Sequence, residues 1–233
     1  MLFDPRYLIF ALPALLLGLY AQARVKSAYA RYSRKPNARG FSGYEAASVL
    51  LRSAGLDHVK VQEVPGKLSD HYDPGKKVLS LSQGVARTPS VASLGIVAHE
   101  IGHAMQDATN YGPLRVRSGL VPMVSIGSWL GPIVFIAGLL LAGFTGSTAI
   151  AWFGVFLFAG TAVFALITLP VEFNASHRAL QLLQTYGVAD GQELQETKQV
   201  LDAAALTYVA ALVQALGTLL YYTFLLTGFS RRR

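Results

Sequence analysis

The stretch from Leu120 to Phe144 reads LVPMVSIGSWLGPIVFIAGLLLAGF and contains no charged side chain. A transmembrane helix needs about 20 mainly apolar residues in a row, within a range of roughly 17–25. The stretch therefore predicts a membrane-spanning helix rather than a buried core helix. The whole chain of 233 residues is 52% hydrophobic and only 14% charged, which excludes a disordered chain and argues against an ordinary soluble domain.

Three further uncharged stretches are long enough to span a membrane: residues 7–23, 148–171 and 203–229. The first of them resembles a signal peptide, because Ala21-Gln22-Ala23 has the pattern of a cleavage site. The charges of Asp4 and Arg6 cancel ahead of it, whereas a signal peptide begins with net positive charge. We therefore expect this stretch to remain as an N-terminal anchor.

The distribution of basic residues predicts the orientation of the chain. Four spans leave residues 24–119 and 172–202 on one side, and this side holds 16 of the 20 Lys and Arg residues. The positive-inside rule places these two segments on the cytoplasmic side of a cell membrane. The terminal arginines 231–233 fall on the other side. Either the larger number of basic residues opposite them determines the orientation, or the fourth stretch does not cross the membrane. The net charge of +7 then needs no nucleic-acid partner.

We predict a mainly α, multi-pass membrane protein with a small α+β domain. Its expected parts are an N-terminal anchor (1–23), a polar segment (24–119), a two-span hairpin (120–171), a helix with a polar loop (172–202), and a C-terminal span with a basic tail (203–233). Within residues 24–119 the local patterns predict a helix capped at Ser42, strands at 58–64 and 77–81, a turn at 70–75, and a buried helix at 90–107 opened by Thr88 and Pro89.

The buried helix contains the sequence His99-Glu100-Ile101-Gly102-His103, an H-E-x-x-H motif. Residues four apart on a helix lie on one face, so both imidazoles can reach one Zn²⁺. Glu100 follows the first histidine directly and can act as general base toward a zinc-bound water. Burying these three polar side chains on an apolar helix is costly unless they share a partner, and a zinc ion is such a partner. The chain has no cysteine, which leaves histidine and carboxylate as the metal's ligands.

A catalytic zinc site usually has three protein ligands, and the third does not follow His103 directly. The candidates on the same side of the membrane are His58, His71, His177 and a carboxylate. Glu172 is favoured among these, because an acidic residue at the end of an uncharged span is energetically costly and is typical of a functional site. The alternative is a carboxylate that extends to the interface and pairs with Arg178.

Several stretches together resemble the membrane-bound neutral zinc metallopeptidases of the YugP type, over most of the chain. They are residues 70–74, 78–82, 98–106, 111–117, 120–122 and 172–176. More distantly, the arrangement is similar to gluzincin membrane proteases of the HtpX and CAAX-prenyl protease kind, in which the third ligand is the Glu of an E-x-x-x-D pattern. Glu172 matches that Glu, whereas Ser176 replaces the Asp and could still hydrogen-bond a ligand histidine.

The resemblance implies an integral-membrane zinc endopeptidase, with peptides or membrane proteins as substrates and the lipid bilayer as its surroundings. The small α+β domain is then a zincin-like catalytic domain, with residues 24–119 as its catalytic segment and residues 172–202 as the third-ligand helix with its polar loop. It also implies that the strand at 77–81 borders the cleft and pairs with substrate. His71 is a candidate for stabilising an oxyanion, or it is a loop histidine held by a neighbouring aspartate. The alternative function is a non-proteolytic scaffold or chaperone-like protein with structural zinc. The sequence leaves the oligomeric state open.

Overall fold

The computed structural model describes the backbone from Pro5 to Ser230 and the side chains of residues 7–228. The three terminal arginines, which oppose the predicted orientation, lie outside the described residues, as does Asp4. The described elements are α1 (Pro5–Tyr32), α2 (Gly43–Ser53), β1 (Lys60–Val64), β2 (His71–Asp73), β3 (Val78–Ser82), α3 (Gln83–Arg87), α4 (Val91–Ala108), α5 (Gly112–Thr145), α6 (Ala149–Thr185) and α7 (Gly191–Ser230).

Among the described residues, four helices are long and apolar enough to cross a membrane, which confirms that the four predicted stretches are helical. Each helix continues beyond its apolar stretch, because polar residues extend it without a break: α1 continues to Tyr32, and α6 continues past Glu172 to Thr185. The candidate spans are Tyr7–Tyr32, Gly112–Thr145, Ala149–Thr185 and Gly191–Gly228.

The chain divides into two compact units. One contains the described residues up to Tyr20, Val116–Leu169 and the described residues from Thr207 onward. Within it, glycines let the helix backbones approach closely: a Cβ on Gly131 would lie 2.9 Å from the backbone nitrogen of Phe158. Phe135 of α5 also stacks on Tyr222 of α7, with 4.0 Å between ring centroids.

The second unit consists of Ala21–Arg115 and Pro170–Leu206 and contains a three-stranded sheet. The strand order is β1-β3-β2, with β1 parallel and β2 antiparallel to β3. The sheet corrects two expectations. Part of the predicted turn at 70–75 is strand β2, and the strand expected to pair with substrate is the central β3, which already has partners on both sides.

Apolar side chains from the sheet, α2, α4 and the part of α6 that follows Glu172 form the core of this second unit. Five of these residues expose 1% or less of their surface: Leu50, Leu79, Leu94, Ile101 and Leu183. The predicted capping box of α2 is confirmed, because Ser42 accepts the N–H of Glu45 and the Glu45 side chain accepts the N–H of Ser42.

The start of α4 differs from the prediction. Its N-cap is Ser90, whose hydroxyl accepts the N–H of Ser93, and the helix begins at Val91. Thr88 is instead extended at the end of α3, a short helix that the sequence did not predict. Ser90 is the N-cap in place of Thr88 because the chain is extended at Ser90 and forms a β-bridge to Pro36 there. This backbone conformation directs the Ser90 side chain toward the first free N–H groups of the helix.

Candidate metal centre

Two histidines lie on one face of α4, one turn apart. The ring centroids of His99 and His103 are 4.8 Å apart, and both side chains are largely buried. Their spacing of four residues produces this geometry, as expected for an α-helix.

Glu172 of α6 lies against both histidines. Its Oε2 is 3.2 Å from Nε2 of His99 and 3.5 Å from Nε2 of His103. The residue is only 2% exposed. The three side chains form a group that could hold a metal ion, with their ligand atoms within 4.8 Å of one another.

Gly102 allows α4 and α6 to approach closely enough for this arrangement. A Cβ at Gly102 would collide with the backbone carbonyl oxygen of Ala175, and it would lie 3.0 Å from the carbonyl carbon. Ala175 lies between Glu172 and Ser176, so the absence of a side chain at Gly102 brings α6 within reach of the histidines.

The Nδ1 atom of each histidine has its own partner. Nδ1 of His99 is 3.1 Å from Oγ of Ser176, so the predicted hydrogen bond between this serine and a histidine of the motif is present. Nδ1 of His103 is 3.0 Å from Oε1 of Gln106. With both Nδ1 atoms occupied, both Nε2 atoms point toward Glu172, which is the orientation that a shared metal requires.

Glu100 is held by the edge of the sheet. Its Oε2 accepts the backbone N–H of Tyr72 in β2 over 3.0 Å. The Tyr72 hydroxyl donates to Asp107 over 2.7 Å, and Asp107 also forms an ion pair with Lys77. Tyr72 thus attaches β2 to α4 at two positions, one of them the carboxylate beside the histidines.

The electrostatics of the group favour a cation. Burial disfavours the charged form of His103, but its hydrogen bond to Glu172 and the charges of Glu100 and Glu172 outweigh burial and raise the pKa of His103. The same carboxylates would stabilise a metal cation bound by the histidines. Two imidazole nitrogens and one carboxylate form a ligand set found in catalytic zinc sites, so the residues present fit zinc.

The remaining candidates lie elsewhere. His71 is exposed, with Nδ1 2.9 Å from the carbonyl oxygen of Ser69, and its catalytic role stays a prediction. His58 and His177 are also exposed. Arg178, the alternative partner of Glu172, instead donates from Nε to Oδ1 of Asn174.

Sequence reasoning missed two contributions to the site. One is the N–H of Tyr72, which no side-chain pattern reveals because it is a backbone group. The other is Gln106, which is fully buried and three residues after His103. An amide on the buried face of an apolar helix was the available signal, since buried polar groups are nearly always hydrogen-bonded.

Long apolar helices and a buried group of two histidines and a glutamate define a membrane protein with a candidate metal centre. The family model described as "Putative neutral zinc metallopeptidase" matches residues 7–227, and the chain belongs to this family. The chain is 40% identical over 216 residues to the "Putative membrane protease YugP" of Bacillus subtilis (strain 168), which covers 93% of this chain and 94% of that protein. No solved structure matches the chain.

These comparisons confirm the resemblance drawn from the motifs. Membership of the family supports a zinc-dependent protease. Zinc is therefore the metal expected at the group formed by His99, His103 and Glu172.

Proposed function

We propose that the protein is an integral-membrane zinc endopeptidase whose metal is held by His99, His103 and Glu172. The observation that carries this proposal is the convergence of both Nε2 atoms on Oε2 of Glu172, with Glu100 beside them. A structural site would have no use for a carboxylate at Glu100. The ligand set and the adjacent glutamate together are those of a gluzincin with an H-E-x-x-H helix in a zincin-like domain.

Zinc, when bound, supplies a Lewis acid that polarises the peptide carbonyl and makes a water molecule acidic enough to attack near neutral pH. Glu100 accepts a proton from the attacking water as its oxygen bonds to the carbonyl carbon. Glu100 then gives that proton to the leaving nitrogen as the carbon–nitrogen bond breaks. The N–H of Tyr72 orients the carboxylate for both transfers by holding one of its oxygens.

The outer edge of β2 is the proposed binding site for substrate backbone, which would lie beside the Tyr72 N–H that already holds Glu100. β3 has partners on both sides, whereas β2 is an outer strand and contacts Glu100 through Tyr72. Extended peptides commonly add to such an edge, with main-chain hydrogen bonds providing affinity and little sequence preference. A substrate chain along β2 would pass the general base directly.

We further propose that the substrates are peptides or segments of membrane proteins at the cytoplasmic face. Glu172 follows the apolar part of α6 within a few residues, so one helix carries both a span and a ligand. The cytoplasmic orientation rests on the 16 of 20 basic residues that the predicted topology puts on the side of the ligands.

The test is Glu100→Gln in the full-length protein purified in detergent, with unfolded casein as the probe. Zinc content should equal that of the wild type, while cleavage should fall by about 10²–10⁴-fold because the general base is lost. Glu63→Gln is the control, since Glu63 is a carboxylate on β1 that pairs with Arg87. Undiminished cleavage by the Glu100→Gln protein would contradict the mechanism and favour a structural zinc site.

A second experiment identifies substrates. Membranes from cells that produce the wild type or Glu100→Gln are compared by quantitative proteomics. Proteins that accumulate full-length only with Glu100→Gln are the expected substrates, and identical membrane proteomes would count against a peptidase acting there.

A further inference from the structure

Gln106 lies at the centre of a chain of hydrogen bonds behind the metal centre. The side chain is fully buried, and each of its polar atoms has a partner. Oε1 faces Nδ1 of His103 at 3.0 Å, and Nε2 donates to the carbonyl oxygen of Val171 over 2.8 Å and to Oδ1 of Asn174 over 3.0 Å. Asn174 in turn accepts from Arg178 over 2.8 Å. We call Gln106, Asn174 and Arg178 the Gln106 relay.

The direction of every hydrogen bond in this relay is set by chemistry. A guanidinium only donates, so the atom of Asn174 that faces Arg178 must be the carbonyl oxygen. That same oxygen faces Gln106, and the Val171 carbonyl also only accepts. The amide group of Gln106 must therefore point its NH₂ toward both acceptors.

The consequence for His103 follows directly. With the NH₂ of Gln106 used on α6, its carbonyl oxygen faces the ring, and an acceptor there requires a hydrogen on Nδ1 of His103. In the neutral ring this leaves the lone pair on Nε2, the nitrogen that faces Glu172. The partner of His99 has no such direction, because the hydroxyl of Ser176 can donate or accept.

We propose that the Gln106 relay is the positioning device that fixes His103 with an unprotonated Nε2 toward the zinc. Arg178 acts at the far end of the relay. Its guanidinium lies 5.9 Å from the ring centroid of Tyr111, and its Nε fixes the carbonyl oxygen of Asn174 as the acceptor. The inference depends on the zinc site and not on peptide cleavage. Zinc affinity is therefore the readout, and the proposal can fail while the peptidase proposal stands.

The first test replaces Gln106 with Met, which has a similar volume and neither accepts nor donates strongly. Zinc affinity of the full-length protein, measured in detergent by competition with a chelator, should fall by about 10–100-fold, as for other partners of ligand histidines. Gln181→Met is the matched control, because Gln181 is an exposed glutamine on α6. Equal zinc affinity in the Gln106→Met and control proteins would overturn the proposal.

The second test separates the relay from a role in stability alone. Asn174→Asp keeps an oxygen that accepts from Arg178 and Gln106, so zinc affinity should be retained, whereas Asn174→Leu removes the acceptor and should weaken zinc binding. Thermal unfolding of the metal-free proteins is measured alongside. If the two variants bind zinc equally well, the relay has no positioning role.

The third test uses the sign of the effect at Arg178. Plain electrostatics expects removal of a nearby cation to strengthen Zn²⁺ binding. The relay expects the opposite. Arg178→Met should weaken zinc binding several-fold, because Asn174 can then turn its NH₂ toward Gln106, which leaves only the Val171 carbonyl to accept from Gln106. Arg178→Lys keeps a donor at this position and should retain the affinity. Tighter zinc binding by the Arg178→Met protein would overturn the proposal.

Discussion

The crossing of α4 and α6 at Gly102 provides a sharp test of how the metal centre is built. In Gly102→Ala the new methyl group would collide with the carbonyl oxygen of Ala175 and lie 3.0 Å from its carbon and 3.2 Å from its Cα. Carbon atoms prefer separations of about 3.5–4.0 Å, so relief requires the two helices to move apart by roughly 0.5–1 Å. Backbone atoms on both sides leave no flexible side chain to yield.

Such a displacement should affect zinc more than folding. Overpacking of this kind costs about 1–3 kcal/mol, which a folded protein can tolerate. Zinc ligands, however, must lie within about 0.2 Å of their ideal distances. Since α6 carries both Glu172 and Ser176, moving it withdraws a proposed ligand and the partner of His99 together. We expect zinc affinity to fall by about tenfold or more, on the scale of other changes around metal ligands.

The assay is chelator competition in detergent, with thermal unfolding of the metal-free protein recorded in parallel. Gly112→Ala is the matched control, because a Cβ there meets nothing within 4 Å and the backbone is not left-handed. Gly102→Ala should lose zinc while Gly112→Ala retains it. If Gly102→Ala binds zinc as tightly as the wild type, the close crossing does not set the geometry of the centre.

Two further predictions concern single side chains. Glu172→Ala should lose most bound zinc in the same competition assay, because one of three ligands is removed, while Glu63→Ala on β1 should keep it; full zinc occupancy in the former would remove Glu172 from the ligand set. Burial, followed by the hydrogen bond and charge of Asp107, raises the pKa of Tyr72. The stabilisation from this bond is complete below the unfolded tyrosine pKa of about 10 and is lost as the pH rises through the folded value. Tyr72→Phe should therefore unfold at a lower temperature than the wild type at neutral pH, with a gap that narrows in strong alkali; a gap independent of pH would refute the assigned bond.

The candidate metal centre was largely predictable because its components are local or topological. The H-E-x-x-H spacing alone places His99 and His103 on one helix face. Two predicted spans lie between His103 and Glu172, so the chain returns to the side of the membrane that holds the histidines. An acidic residue at the end of an apolar span is rare unless it has a partner there. Neither inference depends on the details of tertiary packing, and the structure brings these three residues together.

The sheet edge and the helix start were harder to predict because tertiary contacts override local pattern there. Residues 70–75 are rich in turn formers, and His71–Asp73 becomes a strand only because it pairs with β3. Thr88 and Pro89 have the local pattern of a helix start, yet the β-bridge at Ser90 moves the cap two residues onward. Gln106 was missed for a related reason: its function depends on α6, which is distant in sequence.

The contacts assign different duties to the two helices that meet at the centre. α4 contributes the two histidines, the proposed base and Gln106, which orients His103. α6 contributes Glu172, the partner of His99 and the groups that hold Gln106. Those α6 groups all lie between Val171 and Arg178, about two turns of helix. A slip of α6 by one residue would rotate its side chains by about 100°. It would remove the proposed third ligand, the partner of His99 and the support of Gln106 at once. The register of α6 against α4, with Ala175 seated on Gly102, is therefore the feature on which the whole centre depends.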